Sequence, residues 1–379
     1  MVKTRKNKSF FTWIILLLNQ IAVFSLLLVY VGVRVSPADF WPLAFAGLIY
    51  PALLIVNLLF IVYWLVRLRI YFLISLVTIL LGWSHVLSFV GFSNTSASLP
   101  AEGRNISVLS YNVRVFDLYN YGPGWELNFT QRNNIFRFLQ EKDFDIICFQ
   151  EFVHDKGGAF KTLDTLPDIL RARYAHTGYS NSSRDINFFG VATFSAWPII
   201  HKGTLNFPSQ MSNIGIYSDI VIDSDTLRVY NVHFESIGLS PEDYGFVESL
   251  TNGGQITQRE YLKQGSLRIL KRLKDAYIQR AEQVDIVSEH ISQSPYPVIL
   301  AGDFNDTPAS RTYRNMTRQL NDSFRSGRGI GQTYIGSVPG FRIDYIMHSD
   351  DFKSYNFTTG KQVFSDHYPI WVWLNLPSD

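Results

Sequence analysis

"VILAGDFNDTP", residues Val298 to Pro308, begins with apolar residues and ends with turn formers. Val and Ile favour a strand, whereas Asp, Asn, Thr and Pro favour a turn. The stretch reads as a buried strand that carries Asp303 and Asn305 out of its end, with Gly302 as the small residue that lets another backbone approach. Asp306, Thr307 and Pro308 shape the turn that follows. A carboxylate and an amide directed out of a core strand need something to act on.

Short β-rich runs of the same kind recur from Ile106 onward: "ISVLSYN", "FDIICFQE", "FFGVATFS", "GIYSDIVI", "LRVYNVHF", "PVILAGD", "FRIDYIMHS" and "YPIWVWL". Two helices stand between them. Thr130 is placed to cap a segment through Lys142 with Ile135, Phe136 and Leu139 on one face. From Ser266 to about Ile291, Leu267, Leu270, Leu273, Tyr277, Ala281, Val284, Val287 and Ile291 recur at spacings of three and four, a stripe that packs on a sheet. Ile237 to Gly265, with Pro241, Gly253 and Gly254, shows no clear periodicity and reads as a long loop, either covering a site or forming a surface insertion. The expected class is mixed α/β.

The first 92 residues differ in kind. Phe10 to Val33, Trp41 to Val66 and Ile70 to Phe92 are each apolar over more than the roughly 20 residues needed to cross a bilayer. They predict a transmembrane region with three spans (10–33, 41–66 and 70–92), and a cleaved signal peptide fits poorly because two more spans follow. Lys3, Arg5, Lys6 and Lys8 before the first span, and Arg67 and Arg69 between the second and third, belong on the cytoplasmic side. Arg34, in the first outer loop, counts slightly against this orientation. "SNTSASLPAEGRN", residues 93–105, reads as the linker to a soluble domain over 106–379. The expectation is an integral protein of a bacterial inner membrane with its catalytic domain on the extracytoplasmic, periplasmic side.

Charge narrows the partners. The chain has a formal net charge of +2, but removing the seven basic and one acidic residue of the first 100 leaves 27 basic against 31 acidic in 101–379, a balance of −4. Polyanion binders usually show the opposite sign. The single cysteine, Cys148, lies in the apolar "DIICFQ" and is expected to be a buried, inert thiol.

Polar residues collect at the strand ends. Asn112, Glu151, Asn231 with His233, Asp303 with Asn305, Asp344, and Asp366 with His367 occupy six of them. One polar strand end means little, but mixed sheets gather such ends along one edge, where α/β enzymes place their sites. Carboxylates and amide oxygens without a cysteine cluster select hard cations such as Mg²⁺, Mn²⁺ or Ca²⁺. Asp–His pairs hold an imidazole for proton transfer or charge stabilisation. Together these describe phosphoester hydrolysis. His154, His176, His201, His290 and His348 lack such a context and are expected at the surface, while His85 in the third span is expected to serve helix packing.

In order along the chain, "SYN" ending at Asn112, "DIICFQE" ending at Glu151, "NVHFES" around His233, "LAGDFNDTP", "RIDYI" and "SDHYPI" resemble the motifs of the endonuclease/exonuclease/phosphatase superfamily, DNase-I-like phosphoesterases that include nucleases, inositol polyphosphate phosphatases and neutral sphingomyelinases. "GVATFSAWPI", Gly190 to Ile199, resembles a further strand motif. The resemblance covers Ile106 to Leu376 and implies a two-sheet α/β sandwich with helices outside, here in a membrane-anchored bacterial type. It implies Glu151 as the main metal ligand, with Asn112 and Asp366 acting directly or through water on Mg²⁺ (or Mn²⁺ or Ca²⁺). It further implies Asp303 as the residue that orients or deprotonates the attacking water and Asn305 as the holder of a phosphoryl oxygen. His367, paired with Asp344, would bind the phosphate, and His233 would lie near the leaving group. Arg114 and Asn231 are the additional candidates for substrate contact.

The expected function is a membrane-anchored, divalent-metal-dependent phosphoesterase hydrolysing a phosphodiester or phosphomonoester, with a lipid headgroup or small phosphorylated compound favoured. An extracytoplasmic endo- or exonuclease is the alternative, opposed by the acidic balance. A non-catalytic binding protein of the same fold is the second, opposed by the presence of Glu151, Asp303, Asn305, Asp366 and His367 together.

Overall fold

The structure, a computed structural model, describes residues 3–122, 124, 126–158, 160–208, 213–251, 259–336 and 340–377. Among them the strands, in chain order, are β1 (Gly91–Phe92), β2 (Arg104–Asn112), β3 (Ile146–Asp155), β4 (Tyr174–Ser183), β5 (Asn187–Ser195), β6 (Ile199–Leu205), β7 (Gly215–Ile222), β8 (Asp225–His233), β9 (Val298–Asp303), β10 (Asn321–Asp322), β11 (Arg328–Gly329), β12 (Asp344–His348), β13 (Lys353–Thr359) and β14 (Ile370–Leu376). The helices are α1 (Lys3–Gly32), α2 (Pro37–Phe40), α3 (Tyr50–Val66), α4 (Phe72–Leu81), α5 (Trp83–Phe89), α6 (Thr130–Lys142), α7 (Thr162–Ile169), α8 (Pro241–Thr251), α9 (Arg259–Ser292) and α10 (Arg311–Met316).

Two six-stranded sheets, in the orders β13-β14-β2-β3-β5-β4 and β10-β12-β9-β8-β7-β6, pack face to face as the expected two-sheet α/β sandwich. Val108 and Cys148 of one sheet meet Val229, Ile299 and Ile346 of the other. The alternate residues point outward: Leu109 and Ile147 pack under Ile135 and Leu139 of α6, and Leu300 under Val284 and Val287 of α9. Central strands buried on both faces must be apolar at consecutive positions, which explains "DIICF" and "VILA". Each fully buried Val, Leu or Ile contributes roughly 1.5–3 kcal/mol. Burial pushes the Cys148 thiol up to about 12, so it is inert as expected.

Several local expectations need correction. Thr130 is the first residue of α6 rather than its cap; the Asn128 carboxamide oxygen accepts from its backbone N–H at 3.0 Å. The expected loop 237–265 is partly helical. Ser240 and Asp243 form a reciprocal cap at the head of α8, the Asp243 backbone N–H donating to Ser240 Oγ at 3.3 Å and the Ser240 N–H to Asp243 Oδ2 at 2.9 Å. Residues 252–258 of that stretch, with Gly253 and Gly254, lie outside the described residues. Helix α9 starts before Ser266, and Leu267 and Leu270 at the head of the expected stripe are exposed; burial begins near Tyr277. His154, His176 and His348 are buried rather than superficial, bonded to Leu163 N–H, Ser218 Oγ and the Ser349 carbonyl respectively. His290 bonds Tyr230 at 2.8 Å, and His201 is exposed.

In the N-terminal region one helix, Phe10–Gly32 within α1, is long and apolar enough to cross a membrane. The other two expected spans are broken: residues 37–47 and α3 bend by 51°, and α4 and α5 by 71°, so there are three spans only if each bent pair counts as one. Pro51 falls in the first turn of α3, directly after the first break. At the second, a Cβ on Gly82 would lie 2.0 Å from the Tyr30 ring. Phe10, Trp13, Leu17, Phe24 and Leu59 face outward, while the interior holds a polar network beside an apolar cluster of Leu26, Val29, Tyr50 and Ile79. Asn19 donates to Ser75 at 2.7 Å, Ser75 to Asn57 at 2.9 Å, and the Trp64 indole to Asn19 at 2.9 Å. That network accounts for Asn57 inside an apolar run. His85 stacks on Tyr30 with ring centroids 5.2 Å apart, the helix-packing role expected of it.

This bundle is docked on the sandwich. A Cβ on Gly47 would meet the Ala309 carbonyl oxygen at 2.1 Å, Arg342 donates to the Ser88 carbonyl at 2.7 Å, and β1 pairs with β11. The segment 93–105 is not a free linker. Ser93 bonds Gly327 and Arg325, Ala97 and Asn356 exchange two bonds of 2.8 Å, and β2 already begins at Arg104.

Candidate active site

The sheets assemble the site through register. In the parallel pair β8–β9, His233 lies opposite Asp303; in the antiparallel pair β9–β12, Asp344 lies opposite Asp303 from the other side. In the second sheet β2 ends at Asn112 opposite Gln150, and β14 runs antiparallel to β2, so His367 just before it falls at the same edge. Gly302 is required here, since a Cβ would lie 2.0 Å from the Val232 carbonyl oxygen.

Glu151 reaches the edge through a bulge. Phe149 pairs with Ala192 and Phe152 with Gly190, leaving Gln150 and Glu151 opposite one residue, and Glu151 adopts φ 49°. A bulge of this kind re-aims a side chain at the cost of unpaired backbone groups. Asn231 takes up those groups: its Nδ2 donates to the carbonyls of Phe149 at 3.2 Å and Ala192 at 3.0 Å, and to Thr193 Oγ1 at 3.3 Å, while its Oδ1 accepts from Gln150 Nε2 at 2.8 Å. Asn231 is fully buried between the sheets. The structure therefore removes it from the substrate-contact candidates and makes it the support of the Glu151 bulge.

Asn112 bridges the two sheets. Its Nδ2 donates to Glu151 Oε1 at 3.2 Å and to Asp303 Oδ2 at 3.0 Å, and its Oδ1 accepts from the Arg114 N–H at 3.1 Å. In this arrangement it presents N–H groups, not its oxygen, to the acidic cluster. Asp303 Oδ1 accepts the Asn305 N–H at 2.8 Å, with Asn305 in the left-handed region at φ 51°, and Asn305 Nδ2 donates to the Phe234 carbonyl at 3.0 Å. The Arg114 guanidinium lies 3.8 Å from Asp366 and is exposed.

His367 Nδ1 bonds Asp344 at 2.8 Å, and its Nε2 lies 3.8 Å from Asp303 Oδ2; His233 Nε2 approaches the same oxygen at 3.7 Å. Burial by itself would lower the His367 pKa, but Asp344 and then Asp303 outweigh it and push it up to about 10. Burial, with Asp344 beside it, raises Asp303, against the opposing pull of His367 and His233. The site therefore holds a cationic imidazole against a carboxylate of raised proton affinity, the pairing that general-base and charge-stabilising chemistry uses.

Two groupings compete for a cation. Asp303, Asp344 and His367 bring one ligand atom each within 4.8 Å of one another, but His367 Nδ1 is committed to Asp344 and all three are buried. Glu151 and Asp366 are partly exposed, offer oxygen alone, and line the same pocket as Asp303. Three carboxylates around one opening, with Arg114 beside only one of them, form a donor set that suits a hard divalent cation.

The pocket has a volume of about 480 Å³. Beside the polar groups its lining includes apolar side chains: Ile237, Leu239, Ile269 and Leu273, with Leu48 from the N-terminal bundle. Tyr334, whose ring meets His367 edge-on at 5.2 Å, also lines it. The sequence reading contains neither Leu48 nor Tyr334. Leu48 lies in an apolar run read as a span, and Tyr334 belongs to none of the motifs. Asp306 does shape the turn after Asn305, by pairing with buried Arg280 at 3.1 Å and accepting from Thr312 at 2.8 Å.

A two-sheet sandwich with these groups at one edge defines a DNase-I-like phosphoesterase fold. The chain belongs to the endonuclease/exonuclease/phosphatase family, whose model matches residues 109–367; members of that family are generally hydrolases of phosphoesters. Residues 12–89 match a domain of unknown function (DUF8431). Among solved structures, an endonuclease/exonuclease/phosphatase from Beutenbergia cavernae is similar over 73% of this chain and 72% of its own, at 15% identity and a TM-score of 0.52. A family protein from Bacteroides thetaiotaomicron is similar over 72% of this chain and 95% of its own, at 18% identity and a TM-score of 0.50. No curated protein matches the chain.

Proposed function

We propose that the chain is a membrane-anchored, divalent-metal-dependent phosphoesterase with three spans and a periplasmic catalytic domain, and that it hydrolyses an amphiphilic phosphoester such as a lipid headgroup. One observation carries the reading: the pocket that holds Glu151, Asp303, Asp366 and His367 is walled by apolar side chains, one of them Leu48 of the bundle. A substrate whose phosphate meets the polar groups and whose apolar part lies against that wall fits both. The outward-facing apolar surface of the bundle and the basic residues that precede Phe10 in the sequence support the anchored orientation.

Glu151 would hold the cation, with Asp366 beside it and Asn112 fixing the Glu151 carboxylate; when bound, the cation supplies positive charge to the phosphoryl oxygens. Asp303 aims the attacking water and takes its proton, a task suited by its raised proton affinity. His367, kept cationic by Asp344, stabilises charge developing on the phosphoryl group. Asn305 has one amide N–H on the Phe234 carbonyl and retains the other for a phosphoryl oxygen. His233, also beside Asp303, serves the leaving-group side, and exposed Arg114 meets the phosphate from solvent.

The test uses the full chain in a neutral detergent with Mg²⁺, Mn²⁺ or chelator, on phospholipid and sphingolipid micelles, a water-soluble phosphodiester and plasmid DNA. Metal-dependent headgroup release from the micelles, faster than cleavage of the soluble diester, is the expected result. DNA cleavage enhanced at low salt without lipid turnover would transfer the assignment to the nuclease reading.

A further inference from the structure

A second cavity, of about 790 Å³, lies where the bundle meets the sandwich and shares no lining residue with the catalytic pocket. Arg34, just past the end of α1, lines it together with Arg314, Arg325 and Lys353 of the catalytic domain. Arg34 donates to the Tyr30 carbonyl and Arg325 to the Ser84 carbonyl at 3.4 Å, so both guanidinium groups are anchored by neutral partners. Among the described residues none of the four cations is in a salt bridge. The one carboxylate in the lining, Asp322, is buried and already paired with Arg342 at 2.7 Å while accepting from Tyr313 at 2.8 Å.

Four like charges around one cavity, three of them exposed, repel one another, and a bound anion or salt relieves the part that water does not screen. Burial lowers the Arg314 pKa, and the neighbouring cations Arg318, Arg34 and Arg311 lower it further, the mark of uncompensated positive charge. Ser84, His85 and Ser88 of α5 add polar groups to the cavity from the bundle. Its place between the end of an apolar helix and the catalytic domain is the level of phospholipid phosphates when the bundle is embedded.

We infer that this cavity binds the phosphate-bearing headgroup of an anionic phospholipid, a site separate from the catalytic pocket that seats the catalytic domain on an anionic bilayer. The inference uses the membrane-anchored orientation of the proposed function but not its chemistry, so it is tested with chelator present. Arg34, placed at the outer end of the first span, then becomes part of an anion site rather than an exception to the charge rule.

The full chain in maltoside detergent is titrated with dioctanoyl phosphatidylglycerol, dioctanoyl phosphatidylcholine or inorganic phosphate, with binding read by native mass spectrometry and thermal midpoint. Phosphatidylglycerol is expected to bind in preference to phosphatidylcholine and raise the midpoint. The double variant Arg314→Gln/Lys353→Gln should weaken it at least tenfold, whereas Lys142→Gln/Lys156→Gln, which neutralises surface lysines outside the cavity, should not. The single variant Arg325→Gln should weaken it in the same sense, which guards against misfolding of the double. No preference for phosphatidylglycerol, or binding unchanged in Arg314→Gln/Lys353→Gln, overturns the inference. Inorganic phosphate binding that the double variant abolishes, without lipid binding, overturns the lipid source and leaves a free-anion site.

Discussion

Asn231→Leu separates an active-site scaffold from an active-site contact. Leucine has nearly the shape of asparagine and no polar atoms, so it strips the carbonyls of Phe149 and Ala192 and the Gln150 amide of their Asn231 partner without opening a cavity. A buried polar group left unsatisfied costs about 1–3 kcal/mol. Two carbonyls and one amide therefore predict a loss of about 3–9 kcal/mol, toward the lower end because the Gln150 amide keeps its bond to the Cys148 carbonyl. The second consequence is local: without its support the bulge at Gln150 and Glu151 relaxes, and Glu151 loses its fixed direction toward the pocket. Changes in residues that orient metal ligands commonly cost about 10–100-fold in affinity. Urea unfolding gives the first quantity, and Mn²⁺ titration calorimetry on the folded variant at low temperature gives the second. A variant destabilised as expected that binds Mn²⁺ as tightly as the parent would refute the link between Asn231 and Glu151. A variant of unchanged stability would show that the carbonyls find other partners.

Two further outcomes follow from the same geometry. Gly302→Ala places a methyl 2.0 Å from the Val232 carbonyl oxygen and must force β8 and β9 apart beside His233 and Asp303, so it should lower stability by at least about 3 kcal/mol, read as a fall in the urea midpoint. Because the His367 pKa is raised above its unfolded value near 6.5 to about 10, its pairing with Asp344 contributes stability fully below pH ~6.5 and loses it as the pH rises through about 10. Asp344→Asn removes the chief raising partner while burial remains; the imidazole should then be neutral at pH 8, and the stability difference between parent and variant should shrink as the pH is raised from 7 to 10.

Which parts of this fold were readable depended on burial. β2, β3, β5, β7, β8, β9, β12 and β14 carry apolar residues on faces that the core covers, and all eight stand out in the sequence. β4, β6, β10 and β13 are the four sheet edges, and strands such as "HKGTL" in β6 or "KSYNFTT" in β13 expose much of their length, so the alternation that marks a strand is lost. Helix α8 was hidden for a different reason: its start is written in the "SPED" cap of Ser240 and Asp243 rather than in an apolar stripe. At the site, the motif residues Asn112, Glu151, His233, Asp303 and His367 do meet at one edge, because register in two parallel pairs does the placing. The motifs misassigned Asn231, since nothing in "YNVHF" tells that every second side chain there points between the sheets, and they were silent on Leu48, whose role depends on how the bundle docks.

The central claim is that Asp303 and Glu151 form the working parts of a metal-dependent phosphoesterase. Its most direct measurement is phosphoester hydrolysis by the full chain, stripped by chelator and reloaded with Mg²⁺ or Mn²⁺, beside Asp303→Asn and Glu151→Gln under the same conditions. The account predicts activity that vanishes with the chelator, returns with the metal, falls at least 10²-fold in Asp303→Asn at unchanged thermal stability, and in Glu151→Gln recovers in part at raised metal concentration. Hydrolysis that survives the chelator, or that Asp303→Asn retains in full, would contradict it.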